Sequence, residues 1–243
     1  MSERIIAIIP IRGSDDEFKE DPIPMLGERP LVEYTLLAAK EARLLDRVIV
    51  STDSEAIAEF CRRYDIEVPF IRPSSLSEPK ATVTDVLLHC IEWLETNDSY
   101  HTDWVVKLEI THPFRLEGII DTLIKTALTQ KVDSAFLAYE EIRSYWTLDQ
   151  EGTPCLVGEE GDLPRKTRRP FYRDLSGMGA ITRAANLKVR RLYGTNTGLI
   201  PIRDLFAIVD THEGAPSSYR DKVGFRLAEL LAPEFKKTVA WKS

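Results

Sequence analysis

The chain has 243 residues, enough to bury one sizeable core, and at 43% hydrophobic and 29% charged without low-complexity runs it excludes a disordered or fibrous protein. A formal net charge of -7 argues against a general nucleic-acid or anionic-membrane binder, both of which need a clustered positive field. Cys61, Cys90 and Cys155 form no CxxC and the histidines no HExxH, so neither a disulfide framework nor a zinc centre is expected; with no signal-like leader and no apolar run of roughly 18 residues, the expectation is a cytoplasmic protein without a membrane span.

From the N-terminus, Ile5 to Pro10 is a continuous apolar run ending at Gly13, the pattern of a strand buried on both faces. The acidic stretch that follows leads into PLVEYTLLAAKEARLLDR, where Leu31, Tyr34, Ala38, Ala42 and Leu45 recur near helical spacing behind Pro30. RVIVSTD predicts a second strand, with Ser54 placed to cap a helix over SEAIAEFCRRY and Asp53 to fix the sheet mouth or cap that helix, and EVPFIRP a third extended piece stopped by Pro73. VTDVLLHCIEWLE is an amphipathic helix; DWVVKLEI, LEGIIDTLIKTAL and SAFLAY then read as strand, helix and strand. Such alternation calls for a mostly parallel sheet with helices on both faces, and places ligands at the C-terminal strand ends, at 12–14, 51–53 and 109–113. Between about 139 and 176 clustered charge, Gly, Pro and two aromatic patches break the pattern and predict a small protruding arm. GAIT and GLIPI return as short strands, and RDKVGFRLAELLA closes as a helix.

IIPIRGS, RPLVEYTL, RVIVSTDSEAIAEFC, VPFIRPSSL, ATVTDVLLH, KLEITHPFR, DSAFLAY, GAIT and VDT stand in that order. Together they resemble the acylneuraminate cytidylyltransferases, the CMP-sialic acid synthetase family, with CMP-Kdo synthetases as more distant relatives. The resemblance implies a single nucleotidyltransferase domain over 1–243, with a Rossmann-type, glycosyltransferase-A-like α/β fold. It also implies a homodimer whose arm reaches the neighbouring subunit. The implied reaction is attack of the anomeric hydroxyl of an acidic, nonulosonate-type sugar on the α-phosphate of CTP, or of another nucleoside triphosphate, with release of pyrophosphate.

Site residues follow from the same resemblance. Arg12, Gly13 and Ser14 fit the start of the family's ARGGSKGIPxKN loop, and Arg12 and Lys19 are the expected catalytic cations. The family's late Lys-Asn falls on Asp21 and Pro22, so Lys19 would serve only after a local shift, and the acidic loop predicts steep dependence on divalent cation. Arg72 of IRPSSL matches the arginine that contacts the base, and Ala81 and Thr82 match a segment bordering the nucleotide. In KLEITHPFR, Glu109 replaces the glutamine that touches the acceptor sugar, His112 replaces a serine, and Thr111 and Arg115 are retained. Arg165, with Arg168, Arg169 and Tyr172, resembles the family's RRQDxPxxY stretch, whose arginines are expected to face a sugar carboxylate; Gly179 of GAIT is expected among the sugar-binding residues, and Met178 stands where the family has asparagine. Magnesium is the expected cofactor, at Asp210 with Glu109 as a second carboxylate, because Ile208 stands where the family carries its other aspartate. The alternative reading is a diverged, catalytically weak or inactive homologue that binds nucleotide or sugar.

Overall fold

The computed structural model describes residues 3–13, 21–158, 163–212 and 222–239. The expected alternation is present as β1 (Ile5–Ile11), a short hairpin of β2 (Met25–Leu26) and β3 (Arg29–Pro30), α1 (Leu31–Glu41), β4 (Arg47–Thr52), α2 (Glu55–Arg62), α3 (Val83–Asn97), β5 (Trp104–Lys107), α4 (Ile119–Gln130) and β6 (Ser134–Glu141). After it come the hairpin strands β7 (Trp146–Leu148) and β8 (Pro154–Leu156), then β9 (Phe171–Asp174), β10 (Ala180–Arg183), α5 (Ala184–Lys188), β11 (Thr197–Ile202) and α6 (Val223–Thr238).

One sheet carries the order β11-β6-β10-β5-β1-β4, with β9 also paired to β6. β1 is parallel to both β4 and β5, and β6 to β11, while β10 runs antiparallel between β5 and β6. The strands β4, β1, β5, β6 and β11 therefore point the same way, and their C-terminal ends open on one edge.

The apolar run of β1 is continuous because both of its faces are covered. Ile5, Ala7, Ile9 and Ile11 join Leu36, Ile57, Leu123, Phe225 and Phe235, from α1, α2, α4 and α6, in the larger core cluster. Ile6 and Ile8 point to the other face, with Leu87 and Ile91 of α3 and Leu187 of α5. Each such fully buried aliphatic side chain contributes about 1.5–3 kcal/mol relative to exposure. Cys61 and Cys90 belong to these clusters as buried thiols, and burial pushes both up to about 12.

The structure corrects the sequence reading at the end of the first helix and in the arm, and refines it at EVPFIRP and GAIT. EVPFIRP runs beside β4 without forming a strand: one bridge joins Ile49 to Glu67, Pro69 has no N–H to continue the ladder, and the segment bonds to β4 again where Arg72 N donates to Thr52 O. α1 stops at Glu41, where Ala42 turns extended and the N–H groups of Arg43 and Leu44 donate to Asp121 Oδ1 at 2.9 and 3.1 Å. GAIT becomes an antiparallel strand. The arm also does not leave the sheet altogether: after the β7/β8 hairpin, β9 returns to pair Ala138–Glu141 of β6.

Candidate functional site at the strand-order reversal

Chain order moves from β1 to β4 on one side and then to β5 on the other, so the order reverses at the C-terminal end of β1. In open α/β sheets this is where a crevice for ligands opens. Its two lips are the turn after β1 with the end of β4, and the loop after β5.

On the β4 lip, the Gly13 N–H donates to Asp53 Oδ1 at 2.7 Å, which ties the turn after β1 to the end of the neighbouring strand. A Cβ at Gly13 would lie 2.3 Å from Ser54 Cβ, so this approach requires glycine. The STDS segment divides its work: Asp53 holds the turn, while Ser54 Oγ accepts from Ile57 N at 3.4 Å and caps α2. Arg12 is half-buried beside them; Ser14 and Lys19 lie outside the described residues.

Arg72 behaves differently from the expectation of a base contact. It is 4% exposed and turned inward, with Nε on Ser77 Oγ at 3.1 Å and its terminal nitrogens on the Ser51 and Ile11 carbonyls, each at 3.3 Å. Its N–H donates to Thr52 O at 2.8 Å. These bonds staple the ends of β1 and β4 together, so Arg72 shapes this lip from behind. Ala81 lies in a turn, its N–H donating to Glu78 O at 3.0 Å. Thr82 forms a reciprocal capping box with Asp85 at the start of α3.

The β5 lip is built by one buried arginine. Arg115 is 1% exposed; its Nε donates to Met178 O, one terminal nitrogen to Thr35 Oγ1 and His112 O, and the other to Glu109 O and Gly177 O, at 2.6–2.8 Å. A guanidinium has five N–H donors, and these five acceptors use them all. Arg115 is therefore corrected from a sugar ligand to the brace that locks the 175–179 loop, delivered by β9, over the loop after β5. Burial pulls its pKa down, against the charge of Glu109.

Above that brace, Lys107 and Glu109 share one face of the chain as it leaves β5. Lys107 Nζ donates to Glu109 Oε1 at 2.6 Å and to Ser176 Oγ at 3.3 Å. Burial pushes the Glu109 carboxyl up, yet the charge and hydrogen bond of Lys107 hold it below its ordinary value. Lys107 thus occupies one of the two Glu109 oxygens, Oε1. His112 is buried beside it, and burial pulls its pKa down to about 4 despite the charge of Asp210, leaving a neutral imidazole whose Nδ1 lies 3.1 Å from Thr111 Oγ1. Gly177 covers both: a Cβ there would fall 2.5 Å from His112 Nδ1 and 3.0 Å from Glu109 Oε2.

The C-terminal VDT segment reaches this lip, since Thr211 N and Oγ1 both donate to Thr111 O, at 2.8 and 3.2 Å. The fold thus brings Thr111 and Asp210 to the same loop pair, and Asp210 Oδ1 accepts from His212 N at 2.9 Å. Among the described residues no group of three or more His, Cys, Asp or Glu side chains is arranged to hold a metal ion. Gly179 does not face the crevice; a Cβ there would meet Leu123 and Leu137 at 3.1 and 3.2 Å, so it is a packing glycine beneath α4. Tyr172 is an exposed β9 residue opposite Glu140, Arg165 opens a short turn over 165–167, and Arg168 bonds to Leu163 O and Ser144 Oγ within the arm. Lys107, Ser176 and Gly177 were not marked by sequence reasoning; a lysine two residues before a glutamate at the end of an apolar strand was the available signal for the first.

A Rossmann-like α/β sheet with its crevice at a strand-order reversal defines the class, and the comparisons define the family. The cytidylyltransferase family model matches residues 6–152, more than half of the chain, and the chain belongs to that family. It is similar to the CMP-N,N'-diacetyllegionaminic acid synthase of Legionella pneumophila, with 30% identity over 112 residues that cover 46% of this chain and 48% of that protein. It is also similar to the N-acylneuraminate cytidylyltransferase of Streptococcus agalactiae, with 26% identity over 216 residues covering 86% of this chain and 51% of the relative. The chain thus spans about half the length of these curated relatives. The solved structure of a CMP:2-keto-3-deoxy-manno-octonic acid synthetase complexed with CTP shares the fold, with a TM-score of 0.66 at 11% identity over 96% of this chain and 100% of the other.

Proposed function

We propose that the chain transfers CMP from CTP to the anomeric hydroxyl of an acidic, nonulosonate-type sugar. The hydroxyl oxygen forms a bond to the α-phosphorus, the bond from that phosphorus to the bridging oxygen breaks, pyrophosphate leaves, and the hydroxyl proton passes to solvent. The observation that carries this reading is the divided crevice: a glycine turn held by Asp53 on the lip next to β4, and a polar, braced pocket of Glu109, Thr111 and His112 on the lip after β5. The first suits a nucleotide's phosphates and the second a polyhydroxylated acceptor, and the relatives' names supply the chemical class. Positioning two substrates across one crevice is itself a large part of such catalysis.

In this reading Arg12, half-buried at the end of β1, and Lys19 meet the triphosphate. Magnesium would be held at Asp210 with phosphate oxygens completing its shell, since Mg2+ commonly takes one or two carboxylates beside substrate phosphates. When bound it supplies charge neutralisation at the triphosphate. Glu109 is left out of that shell because it is paired with Lys107.

The arm hairpin exposes Trp146 at 66% and Leu148 at 64%, which supports a homodimer in which this hairpin meets a second copy. No helix of the described residues is long and apolar enough to cross a membrane, and we place the enzyme in the cytoplasm with its nucleotide substrate. Pyrophosphate release measured with each nucleoside triphosphate and a panel of nonulosonic acids, with and without Mg2+, tests the reaction. Release with CTP and one or more of the acids is expected. No release with any pair, together with retained CTP binding by calorimetry, would replace the enzyme by a nucleotide-binding homologue.

A further inference from the structure

Lys107 is hard to account for as a structural residue. Its side chain is 4% exposed at the end of a strand whose other residues are apolar, and lysine is almost never buried to that degree unless paired. A buried ion pair is no better for stability than an apolar pair of the same size, so its presence calls for a further reason. The partner supplies one. Glu109 keeps 32% of its side chain exposed at the crevice lip, with Oε1 on Lys107 and Oε2 under Gly177. His112, Arg115 and Tyr193 also act on this carboxylate or its neighbourhood, but Arg115 gives its hydrogen bonds to backbone carbonyls and Thr35, and Tyr193 bonds to Asp174 Oδ2 at 2.9 Å. Among the described residues, the cation bonded directly to the Glu109 carboxylate is Lys107.

We infer that the Lys107–Glu109 pair determines acceptor specificity: Lys107 cancels the repulsion between Glu109 and a sugar carboxylate, and Glu109 then accepts a hydrogen bond from a hydroxyl or acylamino N–H of that same acidic sugar. This rests on the proposed function for the class of acceptor. A carboxylate has no donor of its own, so Glu109 reads a donor on the ligand, whereas an amide in its place could accept or donate. Lys107 is a positioning residue here; it acts on the acceptor through Glu109.

The test measures acceptor binding by calorimetry and pyrophosphate release side by side, in the full chain with CTP and Mg2+ and with nonulosonic acids that carry or lack acylamino groups. Lys107→Met is expected to weaken the acidic acceptor roughly 30-fold, the size set by two unit charges roughly 8 Å apart at an effective dielectric of about 20. The KM for CTP should stay within about 2-fold, since the β4 lip is untouched. Adding Glu109→Gln to Lys107→Met removes the bare charge and should recover acceptor affinity to within about 5-fold of the parent, and Lys107→Arg, which keeps the charge, should hold it within about 3-fold. Should Lys107→Met fail to fold, the uncharged double variant and Lys107→Arg decide the matter by the same binding measurement. A double variant that is folded by thermal melting yet binds acceptor no better than Lys107→Met, or a Lys107→Met that impairs CTP and acceptor equally, would overturn the inference. Acceptor binding that follows this ladder without pyrophosphate release in the parent would instead overturn the proposed reaction and leave the specificity pair standing. No binding of any nonulosonic acid to the parent would overturn both.

Discussion

Each lip of the crevice is held by a buried arginine bonded mainly to backbone carbonyls, Arg72 on one side and Arg115 on the other, and the two lips differ in what surrounds that brace. On the β4 side, the turn after β1 is held from behind: Asp53 takes the Gly13 N–H, and Arg72 staples the ends of β1 and β4 through carbonyls it reaches from inside the protein. On the β5 side, the brace and the ligand-facing groups interpenetrate, since Arg115, Lys107 and Gly177 all touch the same few residues around Glu109 and His112. The difference separates what each lip can tolerate. Under the proposed function the β4 lip takes the nucleotide and the β5 lip the acceptor; the first keeps its shape when surface side chains change, whereas the second, where brace and crevice-facing side chains touch, changes as a unit, which suits a site whose substrate differs between relatives.

The sharpest way to break this comparison is to remove the brace. Arg115→Met would take one donor each from the carbonyls of Glu109, His112, Gly177 and Met178 and from the Thr35 hydroxyl in a buried site; Gly177 O would keep the Glu109 N–H, at 2.8 Å, and Glu109 O the more distant His112 N–H, at 3.5 Å. A loss of at least about 3 kcal/mol of stability is expected from unsatisfied buried acceptors. Thermal denaturation checks it. A variant that melts near the parent but loses acceptor affinity would return Arg115 to the role of a sugar ligand.

Gly177→Ala acts more locally. The new Cβ must displace the His112 ring and the Glu109 carboxylate, at an overpacking cost of about 1–3 kcal/mol. The expected kinetic result is a rise of roughly tenfold or more in acceptor KM with little change in the KM for CTP, because small displacements of positioning groups carry large rate effects. Equal damage to both constants would mean that the lips are not separable.

The opposite lip has its own probe. Asp53→Ala frees the Gly13 N–H and should raise the KM for CTP by roughly tenfold, the size of one hydrogen bond to a charged group, while the acceptor KM stays within about 2-fold. Steady-state kinetics with each substrate varied in turn separates the two constants.

Much of this architecture was legible in the chain, for physical reasons that also explain the omissions. Continuous apolar runs such as Ile5 to Pro10 mark doubly covered strands, and the 3.6-residue spacing of Val86, Leu87, Cys90, Ile91 and Leu94 marks a helix against them; both signals are local. The order of motifs placed the mouth of the crevice at residues 12–14, 51–53 and 109–113. Direction and partner are not local properties, so GAIT could not disclose an antiparallel strand, nor FYRD its pairing to Ala138–Glu141. The same holds for charge. Arg72 and Arg115 were assigned to ligands because IRPSSL and KLEITHPFR match family segments, and only the fold shows that both are buried with carbonyl acceptors around them. Lys107 was passed over because a lysine at a strand end ordinarily reaches for water.

The smallest effect is expected away from both lips, at the Thr82 cap. Thr82 Oγ1 accepts from Asp85 N at 3.2 Å, and Asp85 Oδ2 accepts from Thr82 N at 3.1 Å and from Thr82 Oγ1 at 2.7 Å. These bonds, with the Arg190 pair adding charge, hold the Asp85 carboxyl below its ordinary value of 3.8. A depressed carboxyl stabilises the folded chain above its unfolded value and loses that contribution as the pH falls through its folded value. Thr82→Ala should therefore cost about 1 kcal/mol at neutral pH, and the difference from the parent should shrink as the pH is lowered below about 3.8. Chemical denaturation across that window measures it. If the cap serves only α3, both KM values stay at the parent's; a rise confined to CTP would extend the nucleotide lip to Thr82, as its family resemblance implies, and would make that lip less purely backbone than its present bonds suggest.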